Sequence, residues 1–216
     1  MRWSDVASTA ATLSADSRRD GQVPYRSNVA RDDVWGALLE DAAAGRPAME
    51  VVERDDGYVM AFDNRYLLAP FRKWDDPVER RAMRFVKGRV LDVSCGGGRV
   101  CLHLQKRGLD VVGIDSSPGA IAVCRRRGVR DARVLRASAI DESLGVVDTA
   151  VLLGQNLGCR GSSCLRVRHR ELSSDWFDWL QVAQPELVEL LEGTGWQMST
   201  ALGDGPSYVA IIDRMR

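Results

Sequence analysis

The sequence predicts an α/β fold, a doubly wound and mostly parallel sheet that ends in an antiparallel hairpin and carries a small N-terminal cap. Three observations predict it. From residue 88 onward, short apolar runs alternate with helical periodicity, the pattern of strand–helix–strand crossovers. The first run, Val90-Leu91-Asp92-Val93, empties into Ser94-Cys95-Gly96-Gly97-Gly98 and then into a helix, the order that builds a ligand-binding turn at a strand's carboxyl end. The last two runs flank Gly203-Asp204-Gly205-Pro206, a tight reversal that makes the final pair antiparallel.

Each element has a local cause. Residues 1–22 are rich in Ser, Ala, Thr, Asp and Arg and read as a flexible arm. Residues 23–87 read as a helical and hairpin cap. Asp32 or Asp33 can cap a helix bearing Val34, Leu38 and Ala42, which Gly45 stops. Runs at residues 49–53 and 58–62 flank Asp55-Asp56-Gly57, a hairpin signal. An aromatic and basic connector follows over residues 66–74, and Asp76-Pro77 opens a helix through about Val86. In residues 88–216, a helix is expected over residues 99–107 with Val100, Cys101 and Leu104 inward. A second strand over residues 110–114 leads to a helix that Ser117 caps and Pro118 begins. Residues 132–135 form a third strand. Residues 146–153 are an almost continuous apolar run, as a strand covered on both faces should be. Pro185 opens a last helix, and residues 196–202 and 207–212 make the closing hairpin.

A chain of 216 residues fits one domain with a small appended piece, and 45% hydrophobic residues suffice for a sizeable core. Thirty basic side chains balance thirty acidic ones, which argues against a nucleic-acid coat or an acidic-membrane binder. No apolar run approaches the ~18 residues of a spanning helix, and no signal-peptide pattern is read at the start. Five cysteines form no framework spacing, so reduced thiols and a cytoplasmic location are expected. Cys159 and Cys164 have no ligand pair nearby, and no metal site is expected.

The second strand runs to Asp115, whose carboxylate suits two ribose hydroxyls beside the glycine turn. On these residues, with Asp115-Ser116-Ser117-Pro118 and the closing hairpin after Gly193-Thr194-Gly195-Trp196, the chain resembles the class I S-adenosylmethionine-dependent methyltransferases over roughly residues 88–213. The resemblance implies a Rossmann-like fold, S-adenosylmethionine as cofactor and methyl transfer. Ser94, Cys95, Gly96 and Gly98 would pass under the methionine part, and Asp92 would hold that loop or meet the ammonium through water. Asp115 would take both ribose hydroxyls, and Ser116 would lie along the adenosine. Arg136, Ala137 and Ser138 would border the adenine, and Gly154 and Gln155 would lie near the reacting methyl. The cap and the neutral surface favour a small-molecule acceptor over nucleic acid. No general base can be named.

Three departures from the family pattern stand out. Ser94 occupies a place where glycine is usual, which a serine tolerates if its φ is negative. Arg136 aligns with an acid that accepts from the adenine amino group, and guanidinium has donors only. Only residues 154–164 separate the fourth strand from the next strand-like run at 165–170, too few for a helical crossover. That run is expected to pair with residues 175–182 as a hairpin, and the usual fifth strand and its helix to be missing or replaced.

Plainer readings stand beside the sharper ones. Ser117 reads as a helix cap, Cys95 as a small filler, and His103 as structural. Arg166, Arg168 and Arg170 read as one solvated face of a strand. Arg72, with Trp74, is a candidate partner for the cofactor carboxylate. These departures also motivate an alternative function, a cofactor-binding member of the fold that is catalytically impaired or acts as a scaffold. A nicotinamide dehydrogenase is disfavoured, because Cys101 stands where its third glycine belongs and the closing hairpin is wrong for it.

Overall fold

The computed structural model describes residues 33–153, 161–203 and 208–215. The expected arm over residues 1–22 lies outside them, as do Gly154 and Gln155. The cap begins with α1 (Val34–Ala43), which Asp33 caps by accepting from the Gly36 amide at 2.8 Å. β1 (Met49–Arg54) and β2 (Val59–Asp63) form the expected hairpin, with Gly57 at φ +86°, a left-handed conformation that glycine adopts without strain. α2 (Pro77–Ala82) starts on its Asp76 cap but ends sooner than the sequence suggests. Arg107 donates to the carbonyls of Met83 and Val86, at 2.5 and 3.2 Å, and holds that stretch in turns while both side chains enter the core.

The central sheet follows the expected alternation. β3 (Val90–Val93), α3 (Arg99–Lys106), β4 (Val111–Asp115), α4 (Pro118–Arg126), β5 (Asp131–Val134) and β6 (Thr149–Val151) give four parallel strands in the order β5-β4-β3-β6. Alternation sends Val90 and Val111 into a core with Val100, Leu104, Ile121 and Cys124 on the helical side. Leu91, Val112 and Ile114 meet Leu144 and Val147 on the other face. β6 is shorter than its apolar run, because among the described residues only β3 pairs with it, and Val146 and Leu152 stay exposed at the ends of that run.

The chain past residue 160 completes the cap. β7 (Gly161–His169), β8 (Leu172–Ser173) and β9 (Phe177–Gln181) include the expected hairpin, in register Leu165 opposite Phe177. β7 also pairs antiparallel with β1, Val52 opposite Val167, so five strands from two distant stretches form one antiparallel sheet. Arg166 and Arg168 both reach Glu53 on one face of it, while His169 points the other way and is buried. The His169 ring bonds the Met49 carbonyl at 2.7 Å and the Asp41 carboxylate at 2.8 Å, tying β7 to β1 and α1.

α5 (Gln184–Leu191) leads to β10 (Trp196–Leu202) and β11 (Val209–Arg214), which pair with each other as expected. Among the described residues no fifth parallel strand is present. The outer edge of β6 instead borders a groove of about 630 Å³ whose far wall is β11, lined by Val151, Leu153, Val209 and Ile211.

Candidate cofactor site

The site lies where β3 and β4 end side by side. Gly96 and Gly98 take φ values of +51° and +78°, which turn the loop sharply into α3. A Cβ on Gly98 would sit 2.6 Å from both Cys124 Sγ and Val129 Cγ2, so glycine is also required there for contact with α4. Asp115 braces the loop. Its Oδ2 accepts from the Gly96 amide at 2.9 Å and its Oδ1 from the Ser117 amide at 2.9 Å. Burial raises its carboxyl above the ordinary value, and those two N–H groups oppose the rise. A carboxylate has about four lone-pair directions, so two remain for a ligand diol.

Ser94 departs from expectation. Its φ is +57°, not negative, so an exposed serine holds a left-handed conformation that costs a non-glycine residue about 1–2 kcal/mol. Ser94→Gly is expected to raise the melting temperature by about 2 °C in a thermal scan, the strain relief being partly offset by glycine's greater unfolded-state entropy. An unchanged or lower melting temperature would show that the serine is not strained.

Asp92 lies beneath the loop and is buried. Its Oδ2 accepts from the Cys101 thiol at 3.1 Å, and burial pushes its carboxyl up to about 7. Cys95 is buried beside it, 4.0 Å from Cys124 sulfur to sulfur. Ser116 is exposed just past β4, while Ser117 caps α4 by accepting from the Ala120 amide at 2.9 Å. Arg136, half-buried, precedes a short 3-10 turn over Ala137–Ala139, so Ala137 and Ser138 stand exposed beyond β5, level with the end of β4. His103 stacks on Phe71 at 3.7 Å between ring centres, the structural role expected of it. Arg72 is exposed. The arginine over Trp74 is Arg99, 4.6 Å from the ring and paired with Glu79 at 2.8 Å.

Two further residues shape the site. Asp33 caps α1 and also accepts from the Ser117 hydroxyl at 2.6 Å and the Gly119 amide at 2.8 Å, so one carboxylate serves two helix starts. The helices can share it because Gly36 and Gly119 face each other: a Cβ on either would lie within 2.8 Å of the other's Cα. Arg127 donates to the Gly97 carbonyl and, at 2.6 Å, to the Leu68 carbonyl, pinning the loop to the cap. In the sequence Arg127 is the last of three arginines at a helix end and looks solvated. Among the described residues no group of His, Cys, Asp or Glu is arranged to hold a metal ion.

The protein-family model described as "Methyltransferase domain" matches residues 90–159. The ubiquinone biosynthesis O-methyltransferase of Azorhizobium caulinodans is 44% identical over 48 residues, 22% of this chain and 19% of that one. The uncharacterized methyltransferase sll0829 of Synechocystis is 30% identical over 135 residues, 53% of this chain and 62% of that one. The chain thus spans less than two thirds of either relative. Among solved structures, an S-adenosylmethionine-dependent methyltransferase from Bacteroides fragilis, in complex with S-adenosyl-L-homocysteine, superposes with a TM-score of 0.74 at 21% identity. The superposition covers 87% of this chain and 97% of that one. The fold is that of the Rossmann-like methyltransferases. Residues 90–159 match a methyltransferase domain within that fold.

Proposed function

We propose that this protein binds S-adenosylmethionine at the loop over residues 94–98 and transfers its methyl group to a small-molecule acceptor. The observation that carries the reading is Asp115, held by the Gly96 and Ser117 amides at the carboxyl end of β4 with lone pairs to spare. Asp115 would take the ribose hydroxyls, with Ser116 along the adenosine and Arg136, Ala137 and Ser138 about the adenine. Since guanidinium only donates, the adenine amino group would be read by backbone carbonyls rather than by Arg136. Ser94, Cys95, Gly96 and Gly98 would line the methionine part, and the buried Asp92 carboxyl would hold that loop or meet the ammonium through water. Gly154 and Gln155 are proposed beside the reacting methyl on their sequence position after β6 alone.

The bound sulfonium supplies an already activated methyl group, so the protein's work is to align the acceptor and exclude water. The cap, which Arg127 ties to the loop through the Leu68 carbonyl, would do both. The balanced charge favours a small acceptor over nucleic acid. Among the described residues no helix is long and apolar enough to cross a membrane, and four cysteines are free, in keeping with a reducing cytoplasm.

Isothermal titration of the reduced protein with S-adenosylmethionine and S-adenosylhomocysteine tests the first half. Transfer of tritiated methyl to the low-mass fraction of a cell extract tests the second. Heat with both ligands and label in that fraction are expected. No heat at near-millimolar ligand would overturn the reading, and binding without transfer would favour the scaffold alternative.

A further inference from the structure

Three thiols gather under the cofactor loop, each from a different element. Cys95 belongs to the loop, Cys101 to α3 and Cys124 to α4. The sulfurs of Cys95 and Cys124 are 4.0 Å apart, and those of Cys95 and Cys101 both press against Gly113, where a Cβ would lie 3.0 and 2.8 Å from them. Cys101 and Cys124 are 0% exposed, while Cys95 keeps 8% of its surface, so a small oxidant reaches Cys95 first. Contacts with Cys101 and Cys95 hold the Cys124 thiol below the ordinary range against the effect of burial, with the charges of Arg127 and Arg125 adding to this.

We infer that Cys95 and Cys124 form a reversible disulfide under peroxide and that this bond closes the loop to the cofactor. The inference rests on the cofactor reading. Cys95 passes its S–H proton to the Cys124 sulfur 4.0 Å away and attacks hydrogen peroxide as the thiolate, giving the sulfenic acid and releasing hydroxide, which leaves as water when that proton returns. The Cys124 thiolate then attacks that sulfur and expels hydroxide, which leaves as water with the proton shed by Cys124. Two thiols and one peroxide become one disulfide and two waters. The two sulfurs together need close only about 2 Å to reach a bond length of about 2.05 Å. The loop carries most of the shift, because Cys124 sits in a packed helix. Drawing Cys95 toward α4 disturbs Gly96, whose amide bonds Asp115, and so couples oxidation to the proposed ribose ligand. A bound cofactor covers the loop and slows the reaction.

The test is peroxide treatment followed by alkylation and peptide mass spectrometry, with S-adenosylhomocysteine titrations before and after. A Cys95–Cys124 linked peptide is expected, with affinity at least tenfold lower, restored by dithiothreitol. Pre-bound S-adenosylhomocysteine should delay the link. Cys124→Ser should bind normally when reduced and keep its affinity under the same peroxide dose, and Cys124→Ala serves if the serine variant misfolds. A link through Cys101 instead, a Cys95–Cys124 link without loss of affinity, or equal loss in the Cys124 variants would overturn the inference. If the reduced wild type binds no S-adenosylhomocysteine, the cofactor reading fails and the switch with it, while the mass spectrum still reports whether the link forms.

Discussion

Asp115→Ala is expected to weaken S-adenosylhomocysteine binding by at least a hundredfold, the largest effect of any single change at the site. Hydrogen bonds to a charged group contribute about 1.5–3 kcal/mol each, so losing two from a ribose diol costs about 3–6 kcal/mol. The same change leaves the Gly96 and Ser117 amides without their acceptor, which loosens the loop as well. Asp115→Asn separates the two effects. Its amide oxygen can still brace one N–H, but it has lost the charge and half of the acceptor capacity. Titration calorimetry should therefore place Asn between the wild type and Ala. Affinity within threefold of wild type in Asp115→Ala would remove Asp115 from the cofactor site.

The second large effect is on stability. Asp41 is a hub inside the cap. Its carboxylate takes the buried His169 ring at 2.8 Å, Arg46 at 2.6 Å and Arg170 at 2.7 Å. Both ring nitrogens of His169 face acceptors, so the ring is committed at both ends. Asp41→Ala strands one end of it in the core, and breaking such a buried pair costs about 3–5 kcal/mol. Arg46 and Arg170 are half exposed and can turn to water, which sets the expectation at the lower figure, about 3 kcal/mol. The pH dependence has a definite sign. Burial raises the Asp41 carboxyl, but the bonds from His169 and Arg46 and the charge of Arg170 outweigh it and hold the folded value below the ordinary one. The group therefore stabilises the fold above its unfolded value of about 3.9, and that contribution is lost as pH falls through the lower folded value. Urea unfolding at pH 7 and pH 3 should show the gap between wild type and Asp41→Ala narrow in acid. A gap below 1 kcal/mol at pH 7 would mean that the cap does not depend on this hub.

The parallel core is legible in the sequence because each of its causes is local. Pro118 follows its Ser117 cap directly, the apolar run at 90–93 meets its glycines at once, and Asp115 ends the neighbouring strand. The shortage of chain after residue 153 likewise points, by counting residues, to the lack of a fifth parallel strand among the described residues. What escapes is contact across distance. Nothing near Val167 marks it as the partner of Val52, because β-pairing carries no signature beyond alternation. Asp33 reads as an ordinary cap, since its second helix start is supplied by residues far along the chain. Nothing near His169 marks its partner, because the buried carboxylate beside it comes from α1, far back in the chain. The sign of φ at Ser94 is set by the turn into α3 and contradicts what a serine there would lead one to expect.

The pairing of β1 with β7 also has a temporal side. Arg166 and Glu53 meet although they are 113 residues apart in the chain. Closing so long a loop costs entropy that few contacts repay until the chain between is already compact. The parallel core, whose neighbours are close in sequence, supplies that compactness. The cap sheet is therefore the late step of folding, and during synthesis β1 and β2 wait as an unfinished pair until β7 leaves the ribosome. The exposed edge of β1 in that interval makes the half-built cap, rather than the core, the stage of assembly most open to wrong partners.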